Sequence, residues 1–207
     1  MASNNYIYKM SNAGGMSTVT RYTDMLAGNT TWNPWEPDGA YDSLATISLS
    51  TTTASVTFAG IPNTYKHLQL RSIARTTAAA TDNYCNIIFN SDTAANYSYH
   101  DLRTDGGGGV QASGLASQNA IYLQRYAGGN ATASIFGAVI VDILDYANTS
   151  KNKTLRNFGG VDRNGAGSIY LVSGSWMNSS TAINSMTLTP EAGSFAANSQ
   201  FALYGVK

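Results

Sequence analysis

From residue 41 onward the chain is written in short apolar segments closed off by Gly, Asn, Ser and Thr, and no stretch there keeps a helical period. That constrains the fold more than any single motif. In His67-Leu68-Gln69-Leu70-Arg71-Ser72-Ile73-Ala74-Arg75, Leu68 and Leu70 fall on one face and Gln69 and Arg71 on the other, as in a half-buried strand. Further strands are predicted over 84–89, 120–126, 134–143, 154–158, 168–177, 183–189 and 201–206. Residues 44–50 alternate only in part, because Leu44 and Leu49 are out of phase. Val56-Thr57-Phe58 follows a Thr/Ser/Ala turn, which predicts a hairpin with 44–50. The separators are 106–109, Gly128-Gly129-Asn130 and Asp162-Arg163-Asn164-Gly165, and Asn164-Gly165 is the strongest hairpin signal. About nine short strands with turns between them predict an all-β body, an antiparallel β-sandwich or jelly roll, over 41–207.

Residues 1–40 are written differently. They hold Gly14-Gly15, Gly28, Pro34 and Pro37, yet also Tyr6, Tyr8, Trp32 and Trp35. A disordered tail is poor in such groups, and a core segment would show a sustained period. One short helix is predicted, with Ser17 as N-cap, Val19, Tyr22, Met25 and Leu26 as its apolar stripe, and Gly28 as its stop. Burying four such side chains gains roughly 6–12 kcal/mol, while ordering ten residues costs roughly 10–20 kcal/mol. The helix therefore needs a surface to lie on. The expectation is an attachment arm, with Tyr6, Tyr8, Val19, Tyr22, Met25, Leu26, Trp32 and Trp35 as apolar anchors at a contact between subunits.

Hydrophobic residues make up 43% of the 207, enough for a real core, while charged residues make up only 12%, about half the usual share. Twelve Lys and Arg balance twelve Asp and Glu. A phosphate backbone calls for a basic excess, so no nucleic-acid partner is expected. The most apolar stretch, 135–144, is short for a bilayer span and contains Asp142, so no membrane insertion is expected. The N-terminus shows no basic region followed by an apolar run, which predicts synthesis in the cytoplasm without a signal peptide. Cys85 is the sole cysteine, leaving no disulfide framework and no cysteine-based metal site.

Candidate chemistry is sparse. A serine hydrolase needs a nucleophile on a tight turn, but no Gly-x-Ser-x-Gly occurs, and Ser173-Gly174-Ser175 reads as a kink within a strand. Asp142 and Asp145 invite a glycosidase reading, yet Asp145 belongs to a turn and no spacing singles out a pair. Asp162 to Gly165 lacks the later ligands of a calcium loop. No catalytic residue, cofactor or metal is expected. In Tyr97-Ser98-Tyr99-His100-Asp101, alternation puts Tyr97, Tyr99 and Asp101 on one face. Two tyrosines beside a carboxylate suit a sugar ring, which makes them candidate glycan contacts on a host-surface polysaccharide. The plainer reading is an edge strand with its aromatic side on the core. The outward loops, chiefly Asp101 to Gly114 and Asp162 to Gly167, are expected to face solvent or a host receptor.

Several blocks together resemble small virion proteins of tailed bacteriophages of the marine and cyanobacterial type. They are Lys9-Met10-Ser11-Asn12-Ala13-Gly14-Gly15, Arg21-Tyr22-Thr23-Asp24-Met25-Leu26-Ala27-Gly28-Asn29, Ser55-Val56-Thr57-Phe58 with Ile61-Pro62, Tyr65-Lys66-His67-Leu68-Gln69-Leu70-Arg71, Phe89-Asn90-Ser91-Asp92, Val141-Asp142-Ile143-Leu144-Asp145-Tyr146 and Phe201-Ala202-Leu203-Tyr204-Gly205-Val206-Lys207. The resemblance implies a non-enzymatic structural protein in the virion, on a tail appendage or the capsid exterior, and the expectation taken from it is a tail-fibre or appendage component that contacts the host surface. The alternatives are a capsid decoration protein or a lectin-like polysaccharide-binding module. It implies other virion proteins as partners, and by analogy with fibres and decoration proteins a homotrimer.

Overall fold

A computed structural model describes residues 40–207 apart from 106 and 108. The predicted arm helix and the anchors Tyr6, Tyr8, Val19, Tyr22, Met25, Leu26, Trp32 and Trp35 lie outside the described residues. Residues 41–207 form a unit of their own. In chain order its strands are β1 Tyr41–Ser48, β2 Val56–Ala59, β3 His67–Ala74, β4 Asp82–Phe89, β5 Tyr97–Thr104 and β6 Gln111–Gln118. They continue with β7 Ile121–Ala127, β8 Gly137–Leu144, β9 Lys153–Asp162, β10 Gly167–Trp176, β11 Ser185–Pro190 and β12 Gln200–Val206. The described residues contain no helix.

The fold is an antiparallel β-sandwich. The larger sheet has eight strands in the order β1-β12-β3-β8-β9-β10-β5-β6, and the smaller has four in the order β2-β11-β4-β7. Strand alternation builds the core between them. Leu68 and Leu70 of β3, Val141 and Ile143 of β8, and Phe201 and Leu203 of β12 face inward from the larger sheet. Phe58, Ile87, Phe89, Ile121, Leu123 and Met186 meet them from the smaller. Close approach requires glycine at two core positions. A Cβ on Gly174 would fall 2.9 Å from Ile121, and one on Gly159 would fall 2.6 Å from the Ala138 carbonyl oxygen. Gly174 therefore sits in a regularly paired strand, and the kink predicted at 173–175 is absent.

Two further expectations are corrected. Residues 44–50 and 56–58 do not form a hairpin: β1 pairs with β12 in the larger sheet, whereas β2 pairs with β11 in the smaller. The intervening residues carry the chain from one sheet to the other. The broken alternation of β1 has a local cause, since the register shifts between Ser43 and Ala45, leaving Leu44 and Ala45 both partly buried. The second correction concerns 101–114, predicted as an outward loop. Most of it is β5 and β6, an edge hairpin whose last strand is exposed on both faces through Ser117. A strand with no sheet opposite it carries no apolar alternation to betray it. The Asn164-Gly165 turn is as predicted: the two residues have φ 67° and 91°, and Arg163 N–H donates to Ala166 C=O at 2.6 Å to close the β9–β10 hairpin.

Candidate interaction surface

The outward face of the larger sheet is the unusual one. Direct cross-strand neighbours run Ile140, Phe158, Leu171, Leu102 over β8, β9, β10 and β5. Two residues along the strands, Ile73 of β3 and Ile169 of β10 continue the patch, joined through Ala138 and Gly160. These six large side chains are between 46% and 61% exposed, Phe158 the most. Between the two rows lies an open trough of about 580 Å³. Ala138, Gly160 and Ala202 keep its floor low, and Ile73, Ile140, Phe158 and Ile169 rise around it. Gly160 is obligatory, because a Cβ there would fall 2.5 Å from the Ser168 carbonyl oxygen.

A polar row borders the patch along the opposite ends of the strands. Arg71 Nε donates to Gln69 Oε1 (2.7 Å), Gln69 Nε2 to Asp142 Oδ1 (2.8 Å), and Arg156 Nε to Asp142 Oδ2 (3.1 Å). The Arg71 guanidinium also lies over the Tyr41 and Tyr204 rings, at 5.2 and 4.8 Å. Asp142 and Arg156 thus neutralise each other, while Arg71 keeps its charge at the edge of the trough, held by Gln69 and the two tyrosine rings. Asp142 has become a strut of this ladder, while Asp145 sits in the turn after β8, ion-paired to Lys151 and within 3.6 Å of His67 Nδ1. The hydrogen bond from Lys151 holds the Asp145 carboxyl below its ordinary range.

The candidate glycan contacts face the interior, so that expectation is corrected. Tyr97 is fully buried, and its ring stacks on Trp176. Its hydroxyl accepts from Phe89 N–H at 3.0 Å and donates to the Asp92 carbonyl at 3.0 Å. Trp176 Nε1 and Asn96 Nδ2 in turn donate to Asp92 Oδ2, and these hydrogen bonds, Asn96 first, hold the Asp92 carboxyl below its ordinary range. The block 89–97 is therefore a knot tying the β4–β5 crossover to β10. Tyr99 is also buried and stacks on Tyr122. Burial pushes both phenols up to about 12. Asp101 is bound by Arg103 and by Ser113 N–H.

Where the larger sheet overhangs the edge strand β7, Tyr84, Tyr99, Tyr122 and Tyr170 meet Arg103 and Arg125. Arg125 pairs with Asp82 (3.2 Å), donates to Tyr84 Oη (3.0 Å) and lies 4.4 Å over the Tyr84 ring, while Arg163 holds the other Asp82 oxygen at 2.7 Å. The two hollows here are about 190 and 220 Å³, below the roughly 300–1,000 Å³ of ligand pockets. With its charges paired, this cluster is a clasp between the sheets.

No protein-family model matches the chain, and no curated protein matches it. Among solved structures, the crystal structure of Caenorhabditis elegans galectin LEC-6 is similar at 13% sequence identity and a TM-score of 0.31, covering 78% of this chain and 95% of that one.

The residues of the apolar face were not singled out from the sequence, although a signal for them exists. Ala138-Val139-Ile140-Val141 and Ile169-Tyr170-Leu171-Val172 are apolar in both strand phases. In an antiparallel sheet with one face in water, every second position should be polar. Unbroken runs ask for cover on both sides.

Proposed function

We propose that this protein is a non-enzymatic structural subunit of a larger particle, which it joins through the outward face of its eight-stranded sheet. The observation that carries the reading is the apolar row Ile140–Phe158–Leu171–Leu102, which stands half-exposed on a chain whose charged residues are only 12%. Contiguous apolar patches of this kind mark protein contacts. Together with the sequence blocks that resemble tailed-phage virion proteins, it favours a place on the exterior of a virion, in a tail appendage. The apolar residues of 1–40 would be a second attachment point. With Tyr97 and Tyr99 turned into the core, the glycan-binding alternative loses the contacts it was built on.

The test is incorporation. In lysates of the cells that make it, the full chain is expected to co-sediment with large particles, and Phe158→Ser is expected to shift most of the chain to the free fraction while leaving it folded, with a cooperative thermal melt. A wild-type chain found wholly as a free species in those lysates would defeat the reading.

A further inference from the structure

We infer that the outward face of the eight-stranded sheet docks a second copy of this chain, face to face, with Phe158 of each copy entering the trough of the other. The inference rests on the proposed structural role and names the occupant of its contact surface.

Three observations select a copy over an unrelated protein. The first is shape. A prominent knob, Phe158, stands on β9 directly beside a hollow floored by Gly160 on the same strand and Ala138 on the next. Knob and hollow on one surface are self-complementary under a two-fold axis, the condition for an isologous contact. A heterologous ring, such as the trimer expected from the sequence, would need the complementary patch elsewhere on the molecule. The second is area. Six large side chains about half exposed present on the order of 600 Å² of apolar surface, the upper end of what a monomer leaves bare and approaching the roughly 800 Å² per partner of a stable pair. With the polar row at the rim, the face reaches that size. The third is charge. The chain carries no net charge, Asp142 and Arg156 neutralise each other at the rim, and Arg71, the cation at the edge of the trough, is stacked on the Tyr41 and Tyr204 rings, so each copy brings one shielded charge to the contact and not a like-charged patch. The result is a four-layer stack, with the two larger sheets packed at about the 10 Å spacing usual for stacked sheets.

The experiment is sedimentation equilibrium on the purified full chain, with Phe158→Ser removing the knob, Ala138→Trp filling the hollow, and Thr57→Glu on the smaller sheet as control. Thermal melts confirm that each variant is folded. A wild-type dimer is expected, with its dissociation constant raised about 30-fold or more by F158S and by A138W, as for a central hot spot, and left within about threefold by T57E. A dimer or trimer indifferent to F158S and A138W would overturn the inference while leaving the structural role standing, since copies would then join elsewhere. A monomer that still enters particles, and loses that ability with F158S, would assign the face to a different subunit. A full-length monomer whose Phe158 is protected from hydroxyl-radical footprinting would assign it to the chain's own first forty residues. Both results overturn the second copy. A chain that neither self-associates nor enters particles would sink the structural role as well.

Discussion

The two sheets of the sandwich turn unlike faces outward. The smaller presents Thr57, Ala59, Ser185, Thr187 and Thr189, and across it the Thr57 and Thr187 hydroxyls meet at 2.9 Å. Four of these five carry hydroxyls that hydrogen-bond with one another or with water, and the apolar residues farther across the sheet, Tyr84, Ile88 and Tyr122, are partly buried, so this face offers no row of half-bare side chains. The larger presents Ile140, Phe158, Leu171 and Leu102 in an unbroken row. Both faces belong to one fold and share one core, so folding demands cannot explain the difference. What separates them is what each must meet afterwards.

The largest effect that sharpens this contrast comes from the inward side, which sets the scale for a buried group. Tyr97 and Tyr99, held neutral by burial with phenols pushed up to about 12, stabilise the body fully below the ordinary tyrosine value near 10. Their folded values lie above the unfolded one, so that stability is lost as pH rises through about 12. A pH titration followed by circular dichroism should show cooperative unfolding on that alkaline limb. Stability that stays flat to pH 12 would mean the two rings are solvated.

Next in size, Phe201→Ala on the inward face of the larger sheet should cost about 3–5 kcal/mol, read as a lower urea midpoint. Phe158→Thr, a comparable truncation on the outward face of that sheet, should change the stability of the monomer by less than about 1 kcal/mol. If the two substitutions cost the same in dilute monomer, Phe158 is already covered within its own chain and the contrast between the faces collapses. The smallest effect belongs to the finished face. Thr57→Val should leave stability within about 0.5 kcal/mol and sedimentation unchanged. An increase in association there would show that the smaller sheet, too, is poised for a partner.

Much of the body was legible one strand at a time. The alternation of β3, the Asn164-Gly165 turn and the Gly128-Gly129-Asn130 separator all reappear in the fold, because each depends on neighbours within a few residues. The candidate site was legible only as a bias. Ile169-Tyr170-Leu171-Val172 announces a strand that wants cover on both faces, but not which phase faces the core. In the same way, Tyr97-Ser98-Tyr99 alternates equally well with its tyrosines in or out, and the choice fell to Trp176 and Asp92, which lie far along the chain or across a turn.

By itself, then, the order of residues determined that the body is all-β and sparsely charged, and where most of its strands begin and end, since period, turn chemistry and composition are local properties. Only the tertiary structure decided that β1 and β2 part to different sheets, that β6 closes an edge, and that Phe158, Leu171 and Ile140 align across three strands into one surface. Register between strands distant in sequence is set by packing two sheets over a shared core. A row of side chains that spans strands exists only once that register is in place.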